Sequence, residues 1–449
     1  MSDPVTSPTP MDDRRLRPRT LRRRTFLLSL GALSGGAALL AACGGTSSTA
    51  TNAPATSAAP SAPAAATTAP STGAATTAPT TATGATATAV TTATTGSAAT
   101  AATSASPTVA AAATASRATT SATASGTAQD ASPAILAAAN RFIATLSDAE
   151  KKTGLFAWTD TAQKQRWSNF PPAGFKRAGL MWGNLNAAAQ NAWLALMQAT
   201  MSPEGYARVR AEWAADDALA AAEGTGGGFG MANYYIALIG TPSATDPWQW
   251  QWGGHHVTVN ATIVGSNISM TPSFIGAQPA TYTDASGKTV RPLGDIEDAA
   301  FALVNTLDAT QQKAAVLGNA VIDLVLGPGQ DGKTIQAEGL AASQMNASQQ
   351  AAFLALIGFY TNLANAEDAA ARNAEIKANL AQTYLAWYGP TTKGSAAYFR
   401  IAGPTVVIEY SPQGGGGGRG GAATTGASLD HIHGIYRDPT NDYGAKYAK

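Results

Sequence analysis

Apolar residues recur at helical spacing in two blocks of the chain, and shorter runs of alternating polarity follow each block. In the first block, Ser132-Pro133 supplies a cap and a first-turn proline for a helix that continues through Leu146. The same spacing predicts further helices over 147–154, around 184–201 and over 203–222. In the second block it predicts helices over 295–306, 309–325, 346–364 and 367–383.

The runs that follow each block predict β-strands. After the first block, strands are predicted over 233–239, 248–252 and 255–264, with a hairpin over 282–290. Pro272 and Gly276 indicate a loop over 271–276. After the second block, strands are predicted over 398–401, 405–410 and 431–437, with a glycine-rich loop at 414–421.

The two blocks also resemble each other in sequence. Thr145-Leu146 and Thr306-Leu307 open similar segments 161 residues apart, and Asn186 and Asn346 lie 160 apart. We therefore predict an α+β fold of two similar halves, about 132–290 and 295–449, each with helices, a small antiparallel sheet and one histidine pair. Chance similarity between alanine-rich amphipathic helices is the alternative.

The composition separates this folded part from the chain before it. The sequence is 45% hydrophobic and 13% charged, which is typical of a membrane protein. From Gly44 to Asp130, however, the apolar residues are almost all alanine among Thr, Ser, Pro and Gly. Such a tract cannot bury enough apolar surface to offset the entropy lost on ordering. We interpret residues 43–131 as a disordered tether and 132–449 as the folded domain.

The N-terminus has the features of a bacterial export signal. Arg23-Arg24, followed by Phe26-Leu27, resembles the twin-arginine motif, and Leu-Ala-Ala-Cys ending at Cys43 resembles a lipobox, whose cysteine is lipidated. The apolar stretch between them has about 14 residues, whereas a helix that spans a bilayer needs about 20. We predict a signal peptide over 1–42 and a lipid anchor on Cys43, which would hold the protein on the outer face of the cell membrane.

Charge and cysteine content limit the partners. The chain has 29 Lys and Arg against 28 Asp and Glu, and removal of the arginine-rich leader leaves a mildly acidic protein. Nucleic acid is therefore not expected as a partner. Cys43 is the only cysteine, so the mature chain has no internal disulfide and its stability must come from core burial.

The four histidines of the chain form two tight pairs, His255-His256 and His431 with His433. Side chains alternate along a strand, so His431 and His433 share a face and can reach one ion. The same alternation, followed back from Val257, places His255 on the apolar face and His256 on the polar face.

We predict that all four histidines belong to one pocket, with His256 the better ligand and His255 a hydrogen-bonded support. Zinc, iron, manganese or copper would suit such a site, and ordinary packed histidines are the alternative.

Charged residues near these histidines are candidates for catalysis. Glu409 interrupts an apolar strand, and a buried glutamate needs a partner, for which Arg400 is suited. Glu409 could equally serve the site, as could Asp438, either as a fourth ligand or as a general base. The candidate catalytic residues are therefore Glu409, Asp438 and Arg400.

Several motifs together resemble the DUF3500 family of proteins. They are Trp-Gly-Gly-His-His, Thr-Pro-Ser-Phe-Ile-Gly-Ala-Gln-Pro (271–279), Gly-Pro-Gly-Gln-Asp (327–331), Arg-Ile-Ala-Gly-Pro-Thr-Val-Val-Ile-Glu-Tyr (400–410) and the segment 431–444. The resemblance covers about residues 132–449. It implies no established activity, so it assigns no role to any residue.

Two kinds of function remain open on the sequence alone. The first is a lipid-anchored, metal-dependent enzyme, hydrolytic or oxidative, acting on a small molecule or a polymer. The second is a non-catalytic binding module, in which Trp248, Trp250 and Trp252 share one strand face as a platform for a flat ligand. The same alternation also describes a strand packed on helices.

Overall fold

A computed structural model describes residues 130–414 and 426–448. The predicted signal peptide, Cys43, nearly all of the tether and most of the glycine-rich loop lie outside these residues. Among the described residues, none of the helices has the length and apolar character that crossing a membrane requires.

Nine α-helices occur in the described part of the chain. In the first half they are α1 (Ser132–Ala144), α2 (Asp148–Gly154), α3 (Thr161–Lys164), α4 (Ala187–Thr200) and α5 (Pro203–Glu223). In the second half they are α6 (Gly294–Asn305), α7 (Ala309–Ala315), α8 (Ala347–Thr361) and α9 (Ala366–Ala378). Helices α2, α7 and α8 begin with capping boxes. In each, the N-cap side chain accepts a hydrogen bond from the N3 backbone N–H, and the N3 side chain accepts one from the N-cap backbone N–H.

The strands alternate with these helices. The first half contributes β1 (Leu155–Phe156), β2 (Leu180–Met181), β3 (Tyr235–Ile239), β4 (Trp248–Gly253), β5 (Thr258–Val264), β6 (Asn267–Ser269), β7 (Ser273–Ala277), β8 (Tyr282–Thr283) and β9 (Thr289–Val290). The second half contributes β10 (Val316–Gly318), β11 (Leu340–Ala341), β12 (Tyr384–Tyr388), β13 (Tyr398–Ala402), β14 (Val407–Gly414) and β15 (Ala427–Arg437).

Thirteen of the strands in the described residues form one mixed sheet. Its order is β1-β3-β4-β5-β7-β15-β14-β13-β12-β10, with β2, β6 and β11 paired beside it. The outer pairs β1–β3 and β10–β12 are parallel, whereas the central pairs are antiparallel. The α+β class is confirmed. The expectation of a separate small antiparallel sheet in each half is wrong, because β7 pairs with β15 and joins the strands of both halves into one sheet.

The helices cover one face of this sheet and build the main core. Trp250 meets Trp193 of α4 edge-on with ring centroids 5.7 Å apart, and Trp252 meets Trp213 of α5 at 4.9 Å. Trp248, Trp250 and Trp252 have no exposed surface. They therefore cannot serve as the platform for a flat ligand, and the strand packed on helices is the correct interpretation.

Two irregular segments cover the opposite face of the sheet. We call residues 157–178 the first strap and residues 319–339 the second strap. Trp167 of the first strap packs with Phe274 and Ile435 of the two central strands. The second strap is fixed by Ser411, whose hydroxyl donates to the Ile322 carbonyl at 2.7 Å. This face carries many buried polar side chains, including His256 and His433.

The short elements α3, β1, β2, β6, β10 and β11 were not predicted, and four longer segments differ from the sequence-based prediction. The strand predicted over 255–264 begins only at Thr258, because His255 and His256 lie in a turn that the Gly254–Val257 backbone bond closes. The segment predicted as a loop at 271–276 contains strand β7, which is buried on both faces and so shows no polar alternation. Helix α7 ends at Ala315 instead of 325, because Val316 pairs in parallel with β12 at Trp387. Strand β12 was missed altogether, since it follows α9 closely and its run of apolar residues continues the helical pattern.

Candidate metal centre

The side chains of His256, His431 and His433 converge on one point, and we call them the histidine triad. The Nε2 atom of His431 lies 2.9 Å from Nε2 of His256 and 3.0 Å from Nε2 of His433. Each residue offers one ring nitrogen within 4.8 Å of the others. His256 therefore meets both members of the second histidine pair, as predicted. The prediction that all four histidines share the pocket is wrong for His255, whose ring nitrogen pairs with Asp216.

Strand β15 positions two members of the triad. His431 and His433 are two residues apart on a strand, so both point to the face that the straps cover. His433 lies opposite Gly276 of β7 and Ser411 of β14, two small residues that leave room for the rings. A Cβ atom at Gly276 would come within 2.7 Å of the Ile432 carbonyl oxygen and 3.0 Å of the His256 carbonyl oxygen. Glycine is therefore required where the turn with His256 approaches β15.

The third member of the triad comes from the tight turn between β4 and β5. His256 has a φ of 67°, in the left-handed region that residues with a side chain rarely adopt. Backbone bonds hold this conformation: the Gly254 amide donates to the Val257 carbonyl at 2.9 Å, and the His256 amide donates to the Asn169 carbonyl at 3.2 Å. The turn thus sends His256 to the strap-covered face and its neighbour His255 to the helix side.

His255 lies outside the triad and supports it. Its Nδ1 is 2.7 Å from a carboxylate oxygen of Asp216 on α5, and both side chains are buried. Its ring packs on the ring of His256 with centroids 3.5 Å apart, and Tyr234 donates a hydrogen bond to its carbonyl. The prediction that His256 is the ligand and His255 a hydrogen-bonded support agrees with these contacts.

Burial sets the charge of the triad. Desolvation, followed by the effect of neighbouring histidine charges, lowers the pKa of His256 and of His433 well below its usual range. Burial likewise lowers the pKa of His431 to about 4. All three rings are therefore neutral at pH 7, which is the form that binds metal ions.

The geometry of the triad fits one metal ion. Ring nitrogens of neutral imidazoles approach to about 3 Å only with a proton or a cation between them, so the triad is held either by an N–H···N bond or by an ion. Ligand distances of about 2.0–2.1 Å around a tetrahedral zinc ion place ligand nitrogens about 3.3 Å apart. Small outward movements of the rings would therefore accommodate the ion.

One feature common in metal sites is missing among the described residues. The buried Nδ1 of His256 has no hydrogen-bond partner there, whereas a metal-bound histidine usually donates this hydrogen to a carboxylate or a carbonyl. The turn and the stacked ring of His255 orient His256 instead.

The first strap brings Asn169 to the triad. Its Nδ2 lies 3.3 Å from Nε2 of His433, and its side chain is buried. Arg177 holds this part of the strap in place, because its Nη2 donates to the carbonyls of Ser168 and Phe170 at 2.5 and 2.7 Å. The same nitrogen also reaches the Gly254 carbonyl at 2.7 Å and so ties the strap to the turn of His256. No sequence pattern marks either residue, because both act from irregular backbone.

Glu409 does not join the triad and fixes the second strap instead. Its carboxylate accepts hydrogen bonds from the Val325 and Leu326 amides at 2.8 and 2.7 Å, and from the Tyr398 hydroxyl at 2.6 Å. Burial raises its pKa, and these three bonds oppose the rise. The expected Arg400–Glu409 pair is wrong: the two residues are neighbours across β13 and β14, but the guanidinium of Arg400 pairs with Glu338 of the second strap.

Asp438 is also far from the triad. It follows the end of β15, five residues beyond His433, which is about 16 Å along an extended strand. Its carboxylate lies 2.9 Å from Arg372 of α9 and accepts from the Thr440 amide. Within 130–414 and 426–448, no carboxylate joins the three histidines as a fourth ligand.

Comparisons with known proteins give one match. The model of a protein family described as "Protein of unknown function (DUF3500)" matches residues 128–445. Searches of the curated proteins and of the solved structures found no match.

Proposed function

The chain belongs to the DUF3500 family, whose function is unknown, and we propose that it is an exported, metal-dependent hydrolase. The observation that carries this proposal is the convergence of the Nε2 atoms of His256, His431 and His433 in a buried, neutral cluster. Three protein ligands leave the fourth position of a tetrahedral ion free for water, as hydrolytic zinc sites require.

Zinc fits the donor set best. Imidazole nitrogen suits zinc, copper, nickel and iron, but the iron sites of oxygenases use two histidines and a carboxylate. The triad has no such carboxylate in the described part of the chain. Three histidines alone match the ligand set of zinc hydratases, in which the bound water has a pKa of about 7. A zinc ion held by these three histidines would supply the same acidification of a bound water, so hydrolysis would not require a separate carboxylate base.

Asn169 is suited to orient the fourth ligand or the substrate. Its side-chain amide lies beside His433 on the side of the triad that the first strap covers. An amide can donate to a developing oxyanion or accept from the bound water, and both roles act on the reacting atoms. Asn169 would therefore change turnover more than metal binding.

The location of the enzyme follows from the leader. We infer that a folded, metal-loaded protein is exported by the twin-arginine route and anchored through Cys43 on the outer face of the membrane. The residues up to Asp130 would then hold the domain away from the lipid surface, where it meets a small-molecule or polymeric substrate.

We further infer that the two halves are structural repeats. The strand order supports this, since it reads β1-β3-β4-β5-β7 from one edge and β10-β12-β13-β14-β15 from the other. The four-residue turn before β5 is closed by a Gly254–Val257 backbone bond, and the turn before β14 by a Gly403–Val406 bond. In this correspondence Thr405 occupies the place of His256.

The triad therefore draws on positions that are not equivalent in the two repeats. His256 comes from a turn, whereas His431 and His433 come from β15, the counterpart of β7. The shared pocket arises because the two repeats meet at β7 and β15, although the histidine pairs do not occupy equivalent strand ends.

Hydrolysis of an activated ester such as p-nitrophenyl acetate tests the proposal. The full chain, stripped with a chelator and reloaded with one equivalent of zinc, should hydrolyse the ester, and Asn169→Ala should keep its zinc but turn over about tenfold more slowly. Leu429→Ser, an exposed change on the same strand as the triad, is the control and should match the wild type. Equal hydrolysis by zinc-loaded and stripped protein would reject the proposal.

A further inference from the structure

A second polar cavity lies between the first strap and the sheet, and its lining includes Arg166, Arg177, Gln251 and Thr258. No acidic residue lines this cavity, although two arginines do. Such a lining favours an anion, because both charged side chains in it are positive.

Arg177 is the central residue of the cavity. Its side chain is more than nine-tenths buried, and only Nη2 is used by the three backbone carbonyls that it clamps. Its Nε and Nη1 have no hydrogen-bond partner among the described residues, and no ion pair with Arg177 is formed there. Asp216 acts on Arg177 only from a distance and forms its own close pair with His255. A buried guanidinium without a counter-charge in direct contact is costly, since the loss of hydration is only partly offset.

Thr258 supplies a second unused donor. It is the first residue of β5, it is 1% exposed, and its hydroxyl has no partner in the described residues. It lines the same cavity as Arg177. Guanidinium N–H groups and a hydroxyl can all donate to one anion, whereas a water molecule would accept from them without neutralising the charge.

The size of the cavity limits what can bind. About 10 Å³ is open to the centre of a water-sized sphere, which is room for one such particle. Phosphate, sulfate and carboxylate groups are too large without movement of the strap. A chloride ion is larger than a water molecule, so the lining must also move outward for it, but less than for these groups.

We propose that Arg177 and Thr258 bind one chloride-sized anion between the first strap and the sheet. The anion neutralises the guanidinium that ties the strap to the Gly254 carbonyl, and so it stabilises the packing of the strap on the sheet. This inference does not depend on a metal in the triad.

Thermal unfolding of the full chain, at constant ionic strength, tests the inference. The unfolding temperature should be about 2–5 °C higher in chloride or bromide than in gluconate, and this increase should saturate as the halide concentration rises. Thr258→Val removes the hydroxyl but keeps the shape of the side chain. We expect this variant to need about tenfold more chloride than the wild type for the same rise in unfolding temperature. Thr262→Val, at a buried threonine on the same face of β5 and outside the cavity, is the matched control and should respond like the wild type.

Three results would overturn the inference. One is the same unfolding temperature in chloride and in gluconate. Another is an equal halide response in Thr258→Val and Thr262→Val, which would indicate a general salt effect. The third is a bromide-soaked crystal without anomalous density beside Arg177, since an occupied site must show the ion there. Arg177 itself is left intact in this test, because its loss would also release the three carbonyls that hold the strap.

Discussion

The Nε2 atoms of His256 and His431 lie 2.9 Å apart although 175 residues separate the two histidines in the chain. Strand β7 makes this approach happen, because it pairs with β5 at Thr258 on one side and with β15 on the other. The turn that carries His256 is thus brought next to the strand that carries His431. The candidate site is a direct product of the junction between the two halves of the sheet.

The first prediction concerns loss of a ligand. His431 is the least buried member of the triad, so His431→Gln should fold while removing one metal–nitrogen bond. We expect metal affinity to fall at least 100-fold, measured by competition with a chelator. Leu429→Ser should bind metal like the wild type, since its side chain is exposed and two residues away. Unchanged affinity in His431→Gln would show that this histidine is not a ligand.

The second prediction concerns Gly276, where a methyl group would meet two backbone carbonyls. Gly276→Ala should lower the free energy of unfolding by about 1–3 kcal/mol, because the backbone there cannot move aside without separating the turn from β15. It should also weaken metal binding. Gly358→Ala is the control: this glycine lies inside α8, a Cβ there has room, and alanine should stabilise the helix by up to about 1 kcal/mol. Denaturant unfolding measures both changes.

The third prediction separates structure from chemistry at Glu409. In Glu409→Gln an NH₂ group replaces one of the two carboxylate oxygens. This donor then faces the backbone N–H of Val325 or Leu326, which loses its acceptor. We expect a loss of about 1–3 kcal/mol in unfolding free energy and faster hydrogen exchange at these two amides. The metal content should stay at the wild-type level. Loss of the metal with unchanged exchange at the second strap would instead place Glu409 in the site.

The fourth prediction is a pH dependence of the metal-free protein. Burial lowers the pKa of His431 from 6.5 to about 4 in the folded state, and lowers those of His256 and His433 in the same direction. Between these values the unfolded chain binds more protons than the folded one, so stability rises with pH. The stabilisation that the neutral, buried histidines contribute to the folded state is complete above pH 6.5 and is lost as the pH falls towards 4. Urea unfolding at several pH values should show that the free energy of unfolding of His431→Gln depends less steeply on pH than that of the wild type. Equal slopes for the two proteins would refute the lowered pKa of His431.

The sequence predicted part of the site and missed the rest for physical reasons. Side-chain alternation on β15 placed His431 and His433 on one face. Alternation followed back from Val257 also placed His255 and His256 on the correct sides, although both lie in the turn before β5 and not in the strand predicted there. Asn169 and Arg177 act through carbonyl and amide contacts made by irregular backbone, which no periodicity marks. Glu409 was a sound candidate as a buried acid, but its partners are backbone amides of a strap that the sequence had assigned partly to a helix.

The sequence likewise predicted part of the fold and missed the rest. Helical spacing predicted the class and most helices, since it is a local property of the chain. The cap predicted at Ser132 is wrong, because Ala131 occupies the N-cap position of α1 and no side chain caps this helix, whereas Pro133 lies in the first turn as predicted. The single sheet was not predicted, because it depends on the pairing of β7 with β15 across the two halves. Strand β7 is buried on both faces, so it carries no alternation that would identify it as a strand.

X-ray absorption at the zinc edge, on the full chain purified from its export compartment without an affinity tag that binds metals, tests the central claim most directly. The account predicts about one zinc ion per chain with three imidazole nitrogens at about 2.0–2.1 Å and one further light ligand. Zinc far below one equivalent, or a shell with fewer than three imidazoles, would contradict a metal centre built from His256, His431 and His433.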